Sequence, residues 1–268
     1  MISNEFNRLK TRLSKISILV RLYQLYLALK QNWGYDTTFR SDFRRFKSLS
    51  SQNRFELKWS RKLPFVKEKT DTISFDKHYV YHLGWASRVL SAIKPTYHVD
   101  ISSSLHFCAI LSAFIPVRYY EYRPVDIKLS NLTSDAVDLT SLPFASASIK
   151  SLSCMHVVEH VGLGRYGDKL DPEGDLRAMS ELKRVVSAGG DLLFVVPIGK
   201  KAEILFNAHR IYTYDQVCSY FRELELIEFA LVPDLSPSDE LIRNAPRELA
   251  DRCNYGCGCF WFKKAVQS

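Results

Sequence analysis

Ile149-Lys150-Ser151-Leu152-Ser153-Cys154-Met155, then Asp175 to Ser187, then Asp191-Leu192-Leu193-Phe194-Val195-Val196 carry the reading that decides the fold. The first piece predicts a strand. The second predicts a helix, because Leu176, Met179, Leu182, Val185 and Val186 recur at steps that share one side. Gly189-Gly190 stop it, and Lys183 and Arg184 sit near its end, where the helix dipole favours cations. The third piece is an apolar run of the kind buried on both faces of a parallel sheet, closed by Pro197. Strand, helix and strand in that order predict a parallel sheet with right-handed crossovers and helices on both faces.

The same alternation extends in both directions. Upstream, a helix is predicted over Tyr79 to Ile93, a strand over Thr96 to Ile101 and a helix over Leu105 to Phe114. Strands follow over Val117 to Tyr122 and Leu129 to Val137. Downstream, a helix is predicted over Thr213 to Phe221, and strands over Leu224 to Val232 and Gly258 to Lys263. Ligands in such sheets bind beyond the carboxyl ends of the strands. That directs attention to the residues just after 101, 122, 137 and 155. Asp100-Ile101-Ser102-Ser103-Ser104, Glu121-Tyr122, Asp135 with Asp138, and His156-Val157-Val158-Glu159-His160 stand there.

These residues resemble the class I S-adenosylmethionine-dependent methyltransferases. Asp138-Leu139-Thr140-Ser141-Leu142-Pro143-Phe144, running through a small polar stretch into Ile149, looks like that family's approach to its fourth strand. Val157-Val158-Glu159-His160-Val161 is similar to the usual exit from it. Ser187-Ala188-Gly189-Gly190 resembles the turn before the fifth strand, with Ala188 in place of proline. The resemblance covers about residues 78–232. It implies a Rossmann-like seven-stranded methyltransferase sheet, to which Gly258 to Lys263 adds the antiparallel strand. A narrower likeness runs through residues 159–175, 208–213 and 256–260. It is to an uncharacterised branch often encoded in bacterial surface-polysaccharide clusters.

The resemblance implies S-adenosylmethionine as cofactor. Asp100, Ser102 and Ser104 would meet its amino-acid tail, Glu121 its ribose hydroxyls, and Asp138 its adenine amino group, with Asp135 in reserve. Leu139 and Leu142 would flank the ring. His160, Glu159 and Asp168 are the candidate catalytic bases, and Arg165, Tyr166, His209 and Arg210 the candidate substrate contacts. The implied reaction is O-methylation of a sugar or glycan-pathway acceptor in polysaccharide biosynthesis. The competing expectation is a methyltransferase-fold protein without catalysis, acting as a binding or scaffold protein there. The first loop motivates that rival. The family usually places glycine where Ser102, Ser104 and His106 stand, and glycine permits φ > 0 and close backbone approach. Serines serve if their backbone stays in ordinary regions; a bulky His106 fits poorly.

Other motifs lead elsewhere. His156-x-x-Glu159-His160 is the inverted zinc-protease string, but His156 falls at the end of a strand, which keeps the two histidines from one helix face. Gly162-Leu163-Gly164-Arg165-Tyr166-Gly167 matches a dinucleotide string that should follow the first strand, not the fourth. Cys253, Cys257 and Cys259 lack a second paired element and read as buried thiols. No metal site is predicted.

The chain has 268 residues with 46% hydrophobic and 25% charged, the composition of a globular protein rather than a disordered one. Six sparse cysteines predict a reducing compartment, the cytoplasm. Residues 1–67 hold 15 Lys+Arg against 4 Asp+Glu, and the rest hold 22 against 25. Two parts are therefore expected: a basic, mostly helical N-terminal extension over 1–77 and the α/β domain over 78–268. Within the extension, residues 5–31 predict an amphipathic helix. It either packs on its own domain or a second subunit, or lies at a membrane surface and makes the protein peripheral to the membrane. No transmembrane segment or secretory signal is expected. Arg and Lys interleaved with aromatics over 34–67 lack an RNA-binding signature, so nucleic acid is not the expected partner; the small-molecule or glycan substrate is what the resemblance implies.

Overall fold

A computed structural model describes residues 37–50, 55–66, 68–234 and 240–266. The helix expected over 5–31 lies outside them. The chain divides into two compact units, Met1–Ser74 and Phe75–Ser268. In the first, helix α1 (37–49) precedes a 3-10 turn at Trp59–Arg61. Phe39 and Phe43 meet the Trp59 ring at 5.8 and 5.0 Å, and Lys62 Nζ lies 4.8 Å from its centre. Among the described residues no helix is long and apolar enough to cross a membrane.

The second unit is three-layered. Its sheet is built from β1 (His98–Ile101), β2 (Val117–Glu121), β3 (Leu132–Ala136), β4 (Ile149–Met155), β5 (Val186–Ile198), β8 (Glu225–Val232) and β9 (Gly256–Lys263). Their order is β3-β2-β1-β4-β5-β9-β8. The first five pair in parallel, and β9 runs antiparallel to both β5 and β8. This is the seven-stranded Rossmann-like sheet expected from the resemblance, with the antiparallel strand in its expected place.

Burial on both sides of β5 explains the layering. Leu192, Phe194 and Val196 pack toward one core, with Met179, Leu182 and Val185 of α4 (Gly174–Val185), Val217 of α5 (Tyr214–Tyr220) and Phe221. Leu193 and Val195 pack toward the other, with Trp85, Val89 and Leu90 of α2 (Lys77–Ile93) and Phe107 and Leu111 of α3 (Leu105–Leu111). Each fully buried side chain of this size contributes about 1.5–3 kcal/mol. Phe221 meets Phe194 in a tilted pair at 4.8 Å and stacks on Phe262 at 4.9 Å, which ties the end of α5 to the sheet.

Helix starts follow local chemistry. The Asp76 carboxylate accepts from Tyr79 N at the head of α2. Thr213 and Gln216 form a reciprocal capping box on α5. Three element expectations need correction. α3 ends at Leu111 rather than Phe114, with Ala113 and Phe114 closing in tighter turns on Ile110 and Leu111 carbonyls. The helix expected to run to Ser187 ends at Val185, and residues 186–190 already belong to β5. Between β5 and α5 the chain forms an unforeseen hairpin of β6 (Glu203–Leu205) and β7 (His209–Ile211).

Candidate functional site

Strand order reverses at β1, which has β2 on one side and β4 on the other. A cleft of about 440 Å³ opens at the carboxyl ends of these strands and of β3, lined by Ser102, Glu121, Asp138, Leu139, His156 and His160 among others. That volume suits a ligand of cofactor size.

At the end of β1, Asp100 is fully buried and turns away from the cleft. Its Oδ1 accepts from Ser103 N at 3.0 Å, and its Oδ2 accepts from the Ser153 hydroxyl. The Ser153 proton is thus committed to Asp100. Ser153 must then accept from His98 Nε2–H at 2.8 Å, leaving His98 Nδ1 to accept from Ser151 at 2.7 Å. Burial holds the His98 imidazole down near 3 and lifts the Asp100 carboxyl to about 6. Ser103 Oγ in turn accepts from Met155 N. The direct cofactor contact expected of Asp100 is therefore corrected: it pins the loop to β4.

Ser104 caps α3 through Phe107 N and is likewise not in the cleft lining. Ser102 does line it, and takes φ 57, the left-handed region that glycine usually occupies. The condition set for a serine at this position, a backbone in ordinary regions, is therefore not met: Ser102 takes the glycine-like conformation itself. The cost for a non-glycine residue is about 1–2 kcal/mol, and two bonds to Tyr120 O offset it, from Ser102 N at 2.8 Å and Oγ at 3.1 Å. His106 lies exposed on α3, outside the cleft, and does not plug it.

Glu121 ends β2 in the cleft wall. Tyr119 Oη donates to its Oε2 at 3.2 Å, and Arg123 N approaches Oε1 at 3.4 Å. Asp138 Oδ1 accepts from Thr140 N at 2.8 Å and Thr140 Oγ1 at 2.7 Å, so both bonds fall on one oxygen. Leu139 lines the cleft beside it, but Leu142 is buried in the core, and Asp135 lies in β3 away from the lining. Leu142-Pro143-Phe144 is instead a clamp on α4. Glu181 accepts from Leu142 N, while Arg184 donates to the carbonyls of Leu142 and Phe144.

Beyond β4 the candidates separate. His160 lines the cleft. Its Nδ1 lies 2.6 Å from Ala208 O, which can only accept, so Nδ1 carries the proton and Nε2 keeps a lone pair. Arg165 Nη1, 3.2 Å from the same Nδ1, donates instead to Ala208 O at 3.1 Å. Burial lowers the His160 pKa, outweighing Glu159. Glu159 is only 1% exposed and bonds His156 Nδ1 at 2.8 Å; it does not face the cleft as a base. Asp168 lines the cleft, but its carboxylate accepts from the amides of Gly162, Gly164 and Tyr166. It orders the loop rather than accepting a substrate proton.

Tyr166 lines the cleft, with the Arg123 and Arg165 guanidiniums 4.7 and 5.2 Å from its ring centre. Arg210 is 5% exposed and donates to Val161 O at 2.6 Å and Pro172 O at 3.3 Å. Its substrate role is corrected to holding the 161–172 loop. His209, on β7, packs on Tyr255 at 5.1 Å and stays outside the lining. His156 and His160 do not converge: one faces Cys257 and the other Ala208. Sequence reading missed Arg123, Lys169 and Arg177 in the wall. Arg177 belongs to the polar side of α4, which reads as solvated surface.

Residues 128–230 match a family described as Caenorhabditis protein of unknown function, DUF268. No curated protein matches the chain. Solved structures that it is similar to include a putative methyltransferase from Bacillus halodurans C-125, at 12% identity over 69% of this chain and 99% of that one, with a TM-score of 0.49. The N-methyltransferase NodS from Bradyrhizobium japonicum WM9, in complex with S-adenosylhomocysteine, shows 14% identity over 68% and 85%, with a TM-score of 0.47. The 1,6-didemethyltoxoflavin-N1-methyltransferase of Burkholderia thailandensis, with S-adenosylhomocysteine bound, shows 10% identity over 73% and 93%, also at 0.47.

Proposed function

We propose that the domain binds S-adenosylmethionine in this cleft and transfers its methyl group to a hydroxyl of a sugar or glycan-pathway acceptor. The observation that carries the reading is the pair of carboxylates, Glu121 and Asp138, lining the same cleft as His160, whose Nε2 keeps its lone pair. The residues fit the cofactor because Ser102 supplies the left-handed turn and His106 stays outside. The cofactor supplies an electrophilic methyl on a sulfonium and leaves as a neutral thioether.

Glu121, oriented by Tyr119, would accept ribose hydroxyls, and Asp138 the adenine amino group. Ser102 would present the β1 loop backbone to the amino-acid tail. Tyr166 with its two guanidiniums offers a flat, cationic face to a sugar or an attached anionic group. His160 Nε2 would take the proton of the acceptor hydroxyl, a contribution of about 10²–10⁴-fold. Neighbours Glu159, Arg165 and His209 face this ring.

Calorimetric titration with S-adenosylmethionine, and with its demethylated product, tests the reading. Saturable heat is expected with both; no heat and no thermal shift with either leaves only the non-catalytic binding protein. Because His160 is held below the ordinary histidine value of about 6.5, it is the neutral base at pH 7. The acid limb of kcat/KM should therefore lie below pH 6.5, and His160→Asn should remove it. A limb above 6.5, or one that persists in His160→Asn, excludes this base.

A further inference from the structure

His78, His156 and Cys257 lie far apart in sequence, yet their ligand atoms all fall within 4.8 Å of one another. They come from the first turn of α2, the exit of β4 and the start of β9. We propose that they bind a zinc ion at the inner edge of the cleft, with one coordination position left for water.

The distances suit the ion. A thiolate at ~2.3 Å and an imidazole nitrogen at ~2.0 Å from one tetrahedral zinc stand ~3.5 Å apart. Cys257 Sγ and His156 Nε2 are 3.4 Å apart. A pair at the 4.8 Å limit asks for a closure of about 1.3–1.5 Å, and His78, half-buried in the first turn of α2, is the ligand that would supply it.

The second set of contacts is also in place. The other nitrogen of His156, Nδ1, is held by Glu159 Oε1 at 2.8 Å, the carboxylate–histidine arrangement that orients zinc-bound imidazoles. Glu159 Oε2 is buried without a hydrogen-bond partner. Charge then balances: on binding, the Cys257 thiol releases its proton to solvent, and the dication faces one thiolate and one carboxylate.

Two further features fit. His156 is held at φ 57, and strain of this kind in a histidine is an outlier that collects at working sites. His82 donates from Nδ1 to His78 O at 2.6 Å, so its Nε2 is a lone pair, buried and unpartnered. Its ring centre is 5.0 Å from that of His156. His78 itself stacks at 5.5 Å on His156 and at 5.0 Å on Tyr255. Imidazoles and a thiol gathered in this way are the donor set of zinc rather than of magnesium or calcium.

The test uses the full chain, stripped with chelator, reloaded with Zn²⁺ and dialysed. About one equivalent of zinc should remain. Replacement by Co²⁺ should give a near-ultraviolet thiolate-to-metal charge-transfer band. Cys257→Ser should abolish the band, and His78→Gln should weaken zinc at least about tenfold with unchanged circular dichroism. Glu159→Gln should weaken it about 10–100-fold. Cys259, whose Sγ is 3.9 Å from that of Cys257, is the control: Cys259→Ser should keep the band. No retained zinc in the wild-type chain overturns the site. So does wild-type affinity in His78→Gln, or a band that follows Cys259 instead. His78→Gln decides the matter if Cys257→Ser fails to fold.

Discussion

Glu121→Ala and Asp138→Ala should each weaken S-adenosylmethionine binding by roughly 10- to 100-fold, while leaving the melting temperature nearly unchanged. A hydrogen bond to a charged group contributes about 1.5–3 kcal/mol, and each 1.4 kcal/mol is about a factor of ten in affinity. Both side chains sit in the cleft wall rather than in the core, so their removal creates no cavity. The conservative changes separate contact from scaffolding. Asp138→Asn keeps an oxygen for Thr140 N and Oγ1, the two bonds that fix the turn, but turns the second oxygen into a donor. Loss of affinity in Asp138→Asn with the turn intact marks a direct contact. Glu121→Gln likewise retains the Tyr119 bond. Calorimetry on all four variants reads the result, and affinities equal to wild type in both alanine variants remove the cofactor from this wall.

The same pair shows what sequence could and could not resolve. Asp100 and Glu121 are both acids at the ends of parallel strands, and pattern alone treats them alike. What separates them is burial. All four residues of β1 are buried, so an acid there has no solvent side to face. The last two residues of β2 are only partly covered. A strand's period-two pattern gives alternation, not the depth of cover on each face. Arg210 misled for the same reason: it reads as a free cation near a substrate segment, yet its guanidinium caps loop carbonyls. β4, matching its expected span residue for residue, was legible because five of its seven residues form one unbroken buried run after Lys150. The β6–β7 hairpin was not, because β6 is exposed along its whole length and carries no core-facing signature. Ser102 was legible as a departure from glycine, but its left-handed backbone depends on the two bonds to Tyr120, which no local pattern encodes.

Gly162→Ala should destabilise the domain by about 3–5 kcal/mol, the sum of backbone strain and overpacking, and lower its melting temperature by about 6–20 °C. Gly162 has φ +79, and a Cβ added there would stand 2.0 Å from Asp171 O. That atom cannot swing aside. Asp171 N donates to Gly162 O at 2.9 Å, so the two backbones are fastened together, and Gly174 N returns to Asp171 O to begin α4. Gly162 N also donates to Asp168 Oδ2, so displacement would release the carboxylate that gathers the 162–168 loop against the cleft. Gly167→Ala is the comparison. It has φ +83 but nothing within 4 Å of an added Cβ, so only conformational strain of about 1–2 kcal/mol applies. Thermal unfolding of the two variants distinguishes packing from backbone preference. A large gap, with cofactor affinity lost alongside stability in Gly162→Ala, places the rigidity of the cleft wall in the contact between Gly162 and Asp171. Equal costs would mean that the loop does not close on Asp171, and that Asp168 holds no fixed wall for a ligand.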